Sequence, residues 1–298
     1  MRFIITRCVM KEITDPFRHE FWRAYQKRFQ RPEDEIFLRP DLWDRMAESY
    51  DDLEESPFYR EMVETVVAEM ERIGALSPGL SLLDLCCGTG TYTVRFAPRV
   101  KRVVALDVSA GMLAMLRQKI KVRGFENVET VQADWRSWDP GETFDTVFVS
   151  LTPVLNDLDQ VERILSVTRR YLVLVHWAGL RENELFLEIL RRFFKASPRT
   201  RSPGAVVLFN YLFSRGFPAE VRFFCGMWER RRPVEKELER VLFRLRGEGY
   251  SVNEGVRERI RTFLEERSRE GRVLSRTRVR IALLLADLKR EALVFGKK

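Results

Sequence analysis

The sequence predicts an α/β fold built on a seven-stranded, mostly parallel, doubly wound sheet. Short apolar runs at 80–85, 102–107 and 144–150 alternate with segments of helical periodicity. The runs are apolar throughout, as expected of strands that helices cover on both faces. The chain has 298 residues, 45% of them hydrophobic, which allows one large domain or a domain with an appended subdomain.

The elements follow in chain order from periodicity and from glycine and proline breaks. Three helices come first, at 11–31, 41–51 and 57–74. Strands at 80–85, 102–107, 128–132, 144–150 and 171–176 then alternate with helices at 91–97, 109–122 and 157–169. The C-terminal part continues with helices at 182–195 and 204–214, a sixth strand at 221–228, helices at 233–247 and 253–269, and a seventh strand at 279–286, for which a helix is the alternative.

This order of elements predicts two units. Residues 1–40 form an N-terminal helical extension, interpreted as a packing cap, with a substrate lid as the alternative. Residues 41–298 form one domain, in which residues 233–270 are a helical insertion between the last two strands.

A glycine-rich turn follows the first predicted strand. The strand contains a carboxylate, Asp84, and leads into Cys86-Cys87-Gly88-Thr89-Gly90 and then a helix. A strand, a glycine turn and a helix in this order present backbone N–H groups and a helix N-terminus to a ligand. The second strand ends at Asp107, 19 residues beyond Gly88, about the spacing at which a strand-end acid meets a ribose hydroxyl. The pair predicts a cofactor that contains adenosine.

The NAD fingerprint fits this turn poorly, because Thr93 stands where its third glycine is required. The turn instead resembles motif I of the class I (Rossmann-like) S-adenosylmethionine (SAM) methyltransferases, with Cys86 in place of the first glycine. Three further segments resemble later motifs of that family: 106–113, 131–135 and 144–150. Residues 43–51 resemble the helix that lies over the cofactor in ubiquinone-biosynthesis-like small-molecule methyltransferases.

The resemblance implies that the last strand of the sheet is antiparallel and forms a hairpin with the sixth, and it also implies a set of cofactor-binding residues. Asp107 would hold both ribose hydroxyls, Asp134 would face the adenine amino group, and Tyr50 would contact the methionine end of SAM. The full predicted set is Tyr50, Asp84, Cys86, Gly88, Gly90, Asp107, Val108, Met112, Asp134, Trp135 and Ser150. Solvated or capping roles for Asp107 and Asp134, and core packing for Tyr50 and Trp135, are the alternatives.

Catalytic candidates come from position, since methyl transfer from a sulfonium requires chiefly alignment and desolvation. His176 stands at the end of the fifth predicted strand and is a candidate general base, with a structural histidine as the alternative. Ser150 and Asn156 lie in or beside the loop after the fourth strand, where they would orient an acceptor or cap the next helix. The four cysteines lack metal-ligand spacing, so no metal is expected.

Charge is unevenly distributed. Residues 1–180 carry a net charge of −4 and residues 181–298 carry +12, which together give +8. A basic half favours an anionic partner such as nucleic acid, but its charges are mostly of mixed sign, which favours solvated helix faces. No run reaches the ~18 apolar residues of a membrane span, and the charged N-terminus is unlike a signal peptide. We therefore expect a cytoplasmic protein with no membrane span and make no prediction of oligomeric state.

The sequence thus predicts a SAM-dependent methyltransferase that acts on a small or medium-sized metabolite by in-line displacement. Two alternatives remain open: an RNA or protein methyltransferase that uses the basic C-terminal half, and a non-catalytic SAM-binding accessory protein.

Overall fold

The computed structural model describes residues 14–29, 38–197 and 203–289. Its centre is a sheet whose strands, in the described part of the chain, are β1 (Ser81–Leu85), β2 (Arg102–Asp107), β3 (Val128–Gln132), β4 (Phe144–Ser150), β5 (Thr168–Asn183), β6 (Glu220–Pro233) and β7 (Arg272–Asp287). They are ordered β3-β2-β1-β4-β5-β7-β6. Strands β1 to β5 pair in parallel, and β7 runs antiparallel to both β5 and β6. The predicted fold class is confirmed.

Helices cover both faces of the sheet. They are α1 (His19–Lys27), α2 (Pro40–Met46), α3 (Pro57–Arg72), α4 (Thr93–Phe96), α5 (Ala110–Arg123), α6 (Leu158–Val167), α7 (Glu184–Phe194), α8 (Ala205–Ser214), α9 (Val234–Gly247) and α10 (Glu254–Glu266). In that part of the chain no helix is both long and apolar enough to cross a membrane.

Side chains alternate between the two faces of the sheet and build a core on each. On one face, residues such as Leu83, Leu174 and Leu284 pack with α6 and α8. On the other, residues such as Leu82, Val173 and Leu283 pack with α3. Burial on both faces explains why the central strands are apolar throughout. A third cluster joins α7, α9 and α10 beyond the end of β5.

The structure differs from the predictions chiefly at element ends. Of the helix predicted at 11–31, the described part is helical only over His19–Lys27, with turns at 14–18; residues 11–13, 30 and 31 lie outside the described residues. The helix predicted at 41–51 is α2 followed by a 3₁₀ segment, Ala47–Glu55. The alternative of a helix near the seventh strand is wrong.

Strands β5, β6 and β7 are longer than predicted. Strand β5 continues to Asn183, so the helix predicted from residue 182 begins at Glu184. Strand β6 continues to Pro233, and β7 begins at Arg272, seven residues before its predicted start. These polar ends pair with one another across all three strands, a tertiary contact that local apolar patterning does not reveal.

Candidate functional site

A cleft opens at the carboxyl ends of β1, β2 and β4, where ligands bind in sheets of this kind. It encloses about 680 Å³ free of protein atoms, the solvent at its mouth included. The predicted cofactor residues among its lining are Tyr50, Cys86, Gly88, Asp107, Val108, Met112, Asp134, Trp135 and Ser150. Asp84, Gly90, Asn156 and His176 do not line the cleft.

Asp107 joins the glycine turn to the start of α5. Its Oδ2 accepts the backbone N–H of Gly88 at 2.9 Å, and its Oδ1 accepts that of Ser109 at 2.9 Å. Burial raises the pKa of this carboxyl, and the backbone N–H groups act against the rise by stabilising its charge. A carboxylate offers about four lone-pair positions, so both oxygens retain capacity to accept hydroxyl groups.

Asp84 lies behind the glycine turn and not in the cleft. It is 2% exposed, and its Oδ2 accepts the hydroxyl of Thr93 at 2.5 Å. Burial raises its pKa to about 7. The prediction that Asp84 binds the cofactor is therefore not supported by its position, which fits a group that fastens the turn to the helix that follows it.

Gly90 also has a packing role. Its φ of +80° is in the left-handed region, and a Cβ there would stand 2.2 Å from Cδ1 of Leu116 on α5. Glycine is required at this position because the turn and the helix approach closely. Like Asp84, Gly90 shapes the turn without lining the cleft.

A cover segment, residues 38–55, lies over the cleft and is fastened to it by carboxylates. Asp44 accepts the Ser109 hydroxyl at 2.6 Å and the Gly111 N–H at 2.8 Å, which caps the N-terminus of α5 from another element. Asp51 accepts the Thr89 hydroxyl at 2.5 Å. These contacts hold Trp43 and Tyr50 in the cleft wall, as the family resemblance implies for this segment.

Asp134 and Trp135 form the far wall of the cleft. The guanidinium of Arg136 hydrogen-bonds both oxygens of Asp134, with a shortest distance of 2.6 Å. This contact, opposed by burial, holds the pKa of Asp134 below its usual value. The Trp135 ring is stacked under Arg163, while its buried Nε1 has no hydrogen-bond partner among the described residues.

His176 and Asn156 lie together beneath the cleft. The Nε2 of His176 is 3.1 Å from Oδ1 of Asn156, and the histidine is 2% exposed. Burial lowers its pKa to about 4, so the imidazole is neutral near pH 7. This position does not support the prediction that His176 is a general base that contacts an acceptor. It supports the alternative of a structural histidine, with Asn156 as its partner.

Sequence reasoning missed several residues of the site. The sequence analysis does not single out Asp44, Asp51 and Arg136, although the first two fall in the 43–51 segment and the third lies two residues after Asp134. Their partners lie far away in sequence or require a specific turn, so spacing alone carries no signal for them. Thr152, in the loop after β4, both lines the cleft and accepts the Val154 N–H.

The comparisons with known proteins agree with this geometry. Residues 82–173 match the model of a family described as methyltransferase domain. An uncharacterized protein from Haemophilus influenzae is 29% identical over 147 residues, which are 48% of this chain and 53% of that protein. A demethylmenaquinone methyltransferase from Lactococcus lactis is 41% identical over 68 residues, which are 22% of this chain and 27% of that enzyme. The match thus spans about half or less of these relatives.

Among solved structures, the N-methyltransferase NodS from Bradyrhizobium japonicum, in complex with S-adenosyl-L-homocysteine (SAH), is 14% identical. Its TM-score is 0.49, and the match covers 83% of this chain and 97% of that one.

Residues 82–173 are thus similar to methyltransferase domains, as the resemblance to class I SAM-dependent methyltransferases predicts. The cleft includes the strand-end carboxylate Asp107, which that resemblance assigns to SAM binding.

Proposed function

We propose that this protein transfers the methyl group of SAM to a small or medium-sized metabolite. The observation that carries the proposal is Asp107, a buried carboxylate at the floor of the cleft that binds the N–H groups of Gly88 and Ser109. This arrangement leaves lone pairs of the carboxylate free to accept hydrogen bonds at the end of the strand, where a ribose would lie. The match of residues 82–173 to methyltransferase domains supports the same reading.

Each wall of the cleft has a proposed task toward SAM. Asp107 accepts the ribose hydroxyls, Val108 and Met112 pack against the adenine, and Asp134 faces its amino group. Tyr50 and the turn at Cys86 and Gly88 enclose the methionine end. When bound, SAM supplies a methyl group on a positively charged sulfur, already activated toward an in-line attack.

The remaining task of the chain is to hold an acceptor in line with that methyl group and to exclude water. Ser150 lies at the cleft wall at the end of β4 and is proposed to orient the acceptor. His176 and Asn156 act from below as positioning residues. Their hydrogen bond joins β5 to the turn Pro153–Asn156, which follows Leu151 and Thr152, and it is proposed to keep that loop in place.

A small acceptor agrees better with the charge distribution than RNA does. Many arginines of the basic half pair with carboxylates, such as Arg257 with Glu239 at 2.7 Å and Arg276 with Glu229 at 2.7 Å. Paired arginines leave less free positive charge for phosphate groups. An RNA or protein methyltransferase and a non-catalytic SAM-binding protein remain the competing functions.

The test has two parts. Methyl-labelled SAM incubated with the protein and a cell extract, then separated into small molecules, RNA and protein, should label the small-molecule fraction. Label in RNA or protein would contradict the acceptor class, and SAM binding without any labelling would favour the non-catalytic alternative.

The second part concerns Asp107. We expect Asp107→Ala to weaken SAM affinity by about a hundredfold or more in calorimetry, because two hydrogen bonds to a charged group are lost. Asp139→Ala is the control, since Asp139 is a turn carboxylate that accepts the Gly141 N–H outside the cleft. Equal SAM affinity in the two variants, with both folded, would refute the proposed cofactor site.

A further inference from the structure

Beyond the cleft, the long strands β5, β7 and β6 place three polar side chains on one face. Arg181 of β5 pairs with Val279 of β7, and on its other side Val279 pairs with Gly226. Trp228 and Arg230 follow Gly226 at two-residue intervals and pair with Thr277 and Ser275. Residues directly opposite in a sheet, and those two apart on one strand, point to the same side. Arg181, Trp228 and Arg230 therefore share the face that α3 covers.

Buried donors on this face lack acceptors. Trp228 is 7% exposed, and its Nε1 has no hydrogen-bond partner among the described residues. The same holds for Nε of Arg230. Buried donors are nearly always paired in native proteins. Two unpaired donors at neighbouring positions on one strand face indicate that a group rich in acceptor oxygens binds there.

The charges around these donors are unbalanced. Arg232 is 3.6 Å from Glu237 of α9 and 4.0 Å from Asp52 of the cover segment. In the described part of the chain, Arg230 has no ion pair within 4.0 Å. Burial lowers the pKa of Arg230 to about 9, and the nearby charges of Arg232 and Arg240 lower it further while that of Asp52 opposes them. A buried cation whose charged form is destabilised in this way lacks a counter-ion.

Aromatic rings pack together beside these arginines. Trp228 contacts Trp177 at 5.5 Å and Tyr59 at 6.0 Å between ring centroids, and Arg181 lies over Trp177 at 4.3 Å. Tyr50 belongs to the cleft wall, and burial raises its pKa while the charges of Arg230 and Arg181 act against the rise. Both arginines therefore lie within electrostatic range of Tyr50, a residue of the cleft wall.

We propose that Arg230 and Arg181 bind an anionic group of the methyl acceptor, a carboxylate or phosphate, while Trp177 and Trp228 contact its adjoining apolar part. This rests on the proposed function and specifies its substrate class as organic anions with an aromatic or apolar body. Guanidinium groups suit both anions, since their fixed fork of donors matches carboxylate and phosphate oxygens. The methionine carboxylate of SAM has the same chemistry, so the test must separate the two sources.

The experiment measures ligand binding by calorimetry on the protein saturated with SAH. The probes are 1-naphthoate and 1-naphthyl phosphate, with the neutral 1-naphthamide for comparison. We expect at least one anion to bind about tenfold or more tightly than the amide, and Arg230→Met to remove that preference. The control is Arg280→Met, since Arg280 is exposed on the opposite face of β7. Equal binding of anions and amide, or a preference that survives Arg230→Met, would overturn the proposal.

Two further readouts assign the result. SAM affinity should be unchanged in Arg230→Met; a loss about as large as that for the naphthyl anions would place the arginine on the cofactor's carboxylate and refute the acceptor role. The melting temperature should stay the same or rise, because replacing an unpaired buried charge by an apolar side chain of similar size is neutral or stabilising. A marked fall would show that Arg230 is structural. Failure of wild-type protein to bind SAM at all would instead refute the proposed function.

Discussion

Asp84 and Asp107 stand at neighbouring strand ends but have different surroundings. Asp107 has two backbone N–H groups and the open cleft, whereas Asp84 is enclosed and accepts the Thr93 hydroxyl. Enclosure raises the pKa of Asp84 to about 7 because its charged form is poorly solvated. Two acids in similar sequence positions thus have separate tasks, one toward a ligand and one within the turn.

The raised pKa makes stability depend on pH at this residue. In the unfolded chain Asp84 titrates near 4, and in the folded protein near 7, so the folded state binds the extra proton between these values. The contribution of Asp84 to the free energy of unfolding is therefore fully present below about pH 4 and is lost as the pH rises through 7. We expect Asp84→Asn to remove this loss, which amounts to up to about 4 kcal/mol.

Denaturant unfolding at pH 5 and at pH 8 measures this effect. The difference in stability between Asp84→Asn and the wild type should shift in favour of the variant at pH 8. Asp145→Asn is the comparison, since hydrogen bonds from Ser81 and Arg169, opposed by burial, lower the pKa of that carboxyl. A pH-independent difference for Asp84→Asn would show that the carboxyl is ionised throughout.

At this scale the motif positions were predictable and the roles only partly so. Spacing placed Asp107, Val108 and Met112 at the cleft because strand ends of a parallel sheet meet at one edge. It also placed His176 at that edge, but the position of a strand end does not reveal burial. The His176 side chain is hydrogen-bonded to that of Asn156. The two residues are 20 apart in sequence, and no local pattern predicts this contact.

At the scale of elements, the cover segment is held by few contacts. Asp44 of α2 accepts two hydrogen bonds from the first turn of α5, which lower the pKa of its carboxyl. A carboxylate at a helix N-terminus is stabilising because the unpaired N–H groups there carry partial positive charge. This contact fastens the wall that includes Trp43 and Tyr50 to the domain that carries the glycine turn.

We expect Asp44→Ala to weaken SAM affinity about tenfold and to speed SAM dissociation, because the cover segment then opens more readily. Stopped-flow fluorescence of the tryptophans measures the rate. Asp41→Ala is the matched control on the same helix, since Asp41 pairs with Arg39 and Arg45 of its own segment. Identical dissociation rates in the two variants would show that Asp44 does not hold the cover.

Element types were predicted well because buried parallel strands and amphipathic helices have distinct patterns. The polar ends of β5, β6 and β7 were missed because their stability comes from pairing with each other. Arg181 and Glu182, for example, read as the start of a helix, yet they pair with Val279 and Arg278. Long-range pairing of this kind outweighs local preference.

For the whole molecule, the net charge of +8 is the property that bears on its partners. In the basic half, ion pairs join neighbouring elements, and examples are Arg261 with Glu235 at 3.1 Å and Arg267 with Glu188. Surface pairs contribute little stability each, but they divide the positive charge into small areas. The charge is therefore suited to solubility more than to a continuous phosphate-binding surface.

This predicts weak binding to nucleic acid. In filter binding with bulk tRNA we expect a dissociation constant above about 1 µM at ~150 mM salt. The affinity should fall steeply as the salt concentration rises, as it does for non-specific contacts. SAM affinity measured over the same salt range should change little, since its site is enclosed. Tight tRNA binding that persists at high salt would favour the RNA methyltransferase alternative.

The order of strands also bears on how the chain is made. Strand β7 lies between β5 and β6, although both are synthesised before it. While a ribosome adds residues 234–271, the outer edge of β5 stays bare and β6 has no neighbour to pair with. The part of the sheet that carries Asp107 can be folded by then. The face that carries Arg181, Trp228 and Arg230 forms only after Ser275, Thr277 and Val279 of β7 have been added. The nascent chain thus folds the strands around the proposed SAM site first. Until β7 is synthesised it exposes two unpaired strand edges, and this is the stage at which it most needs protection by chaperones.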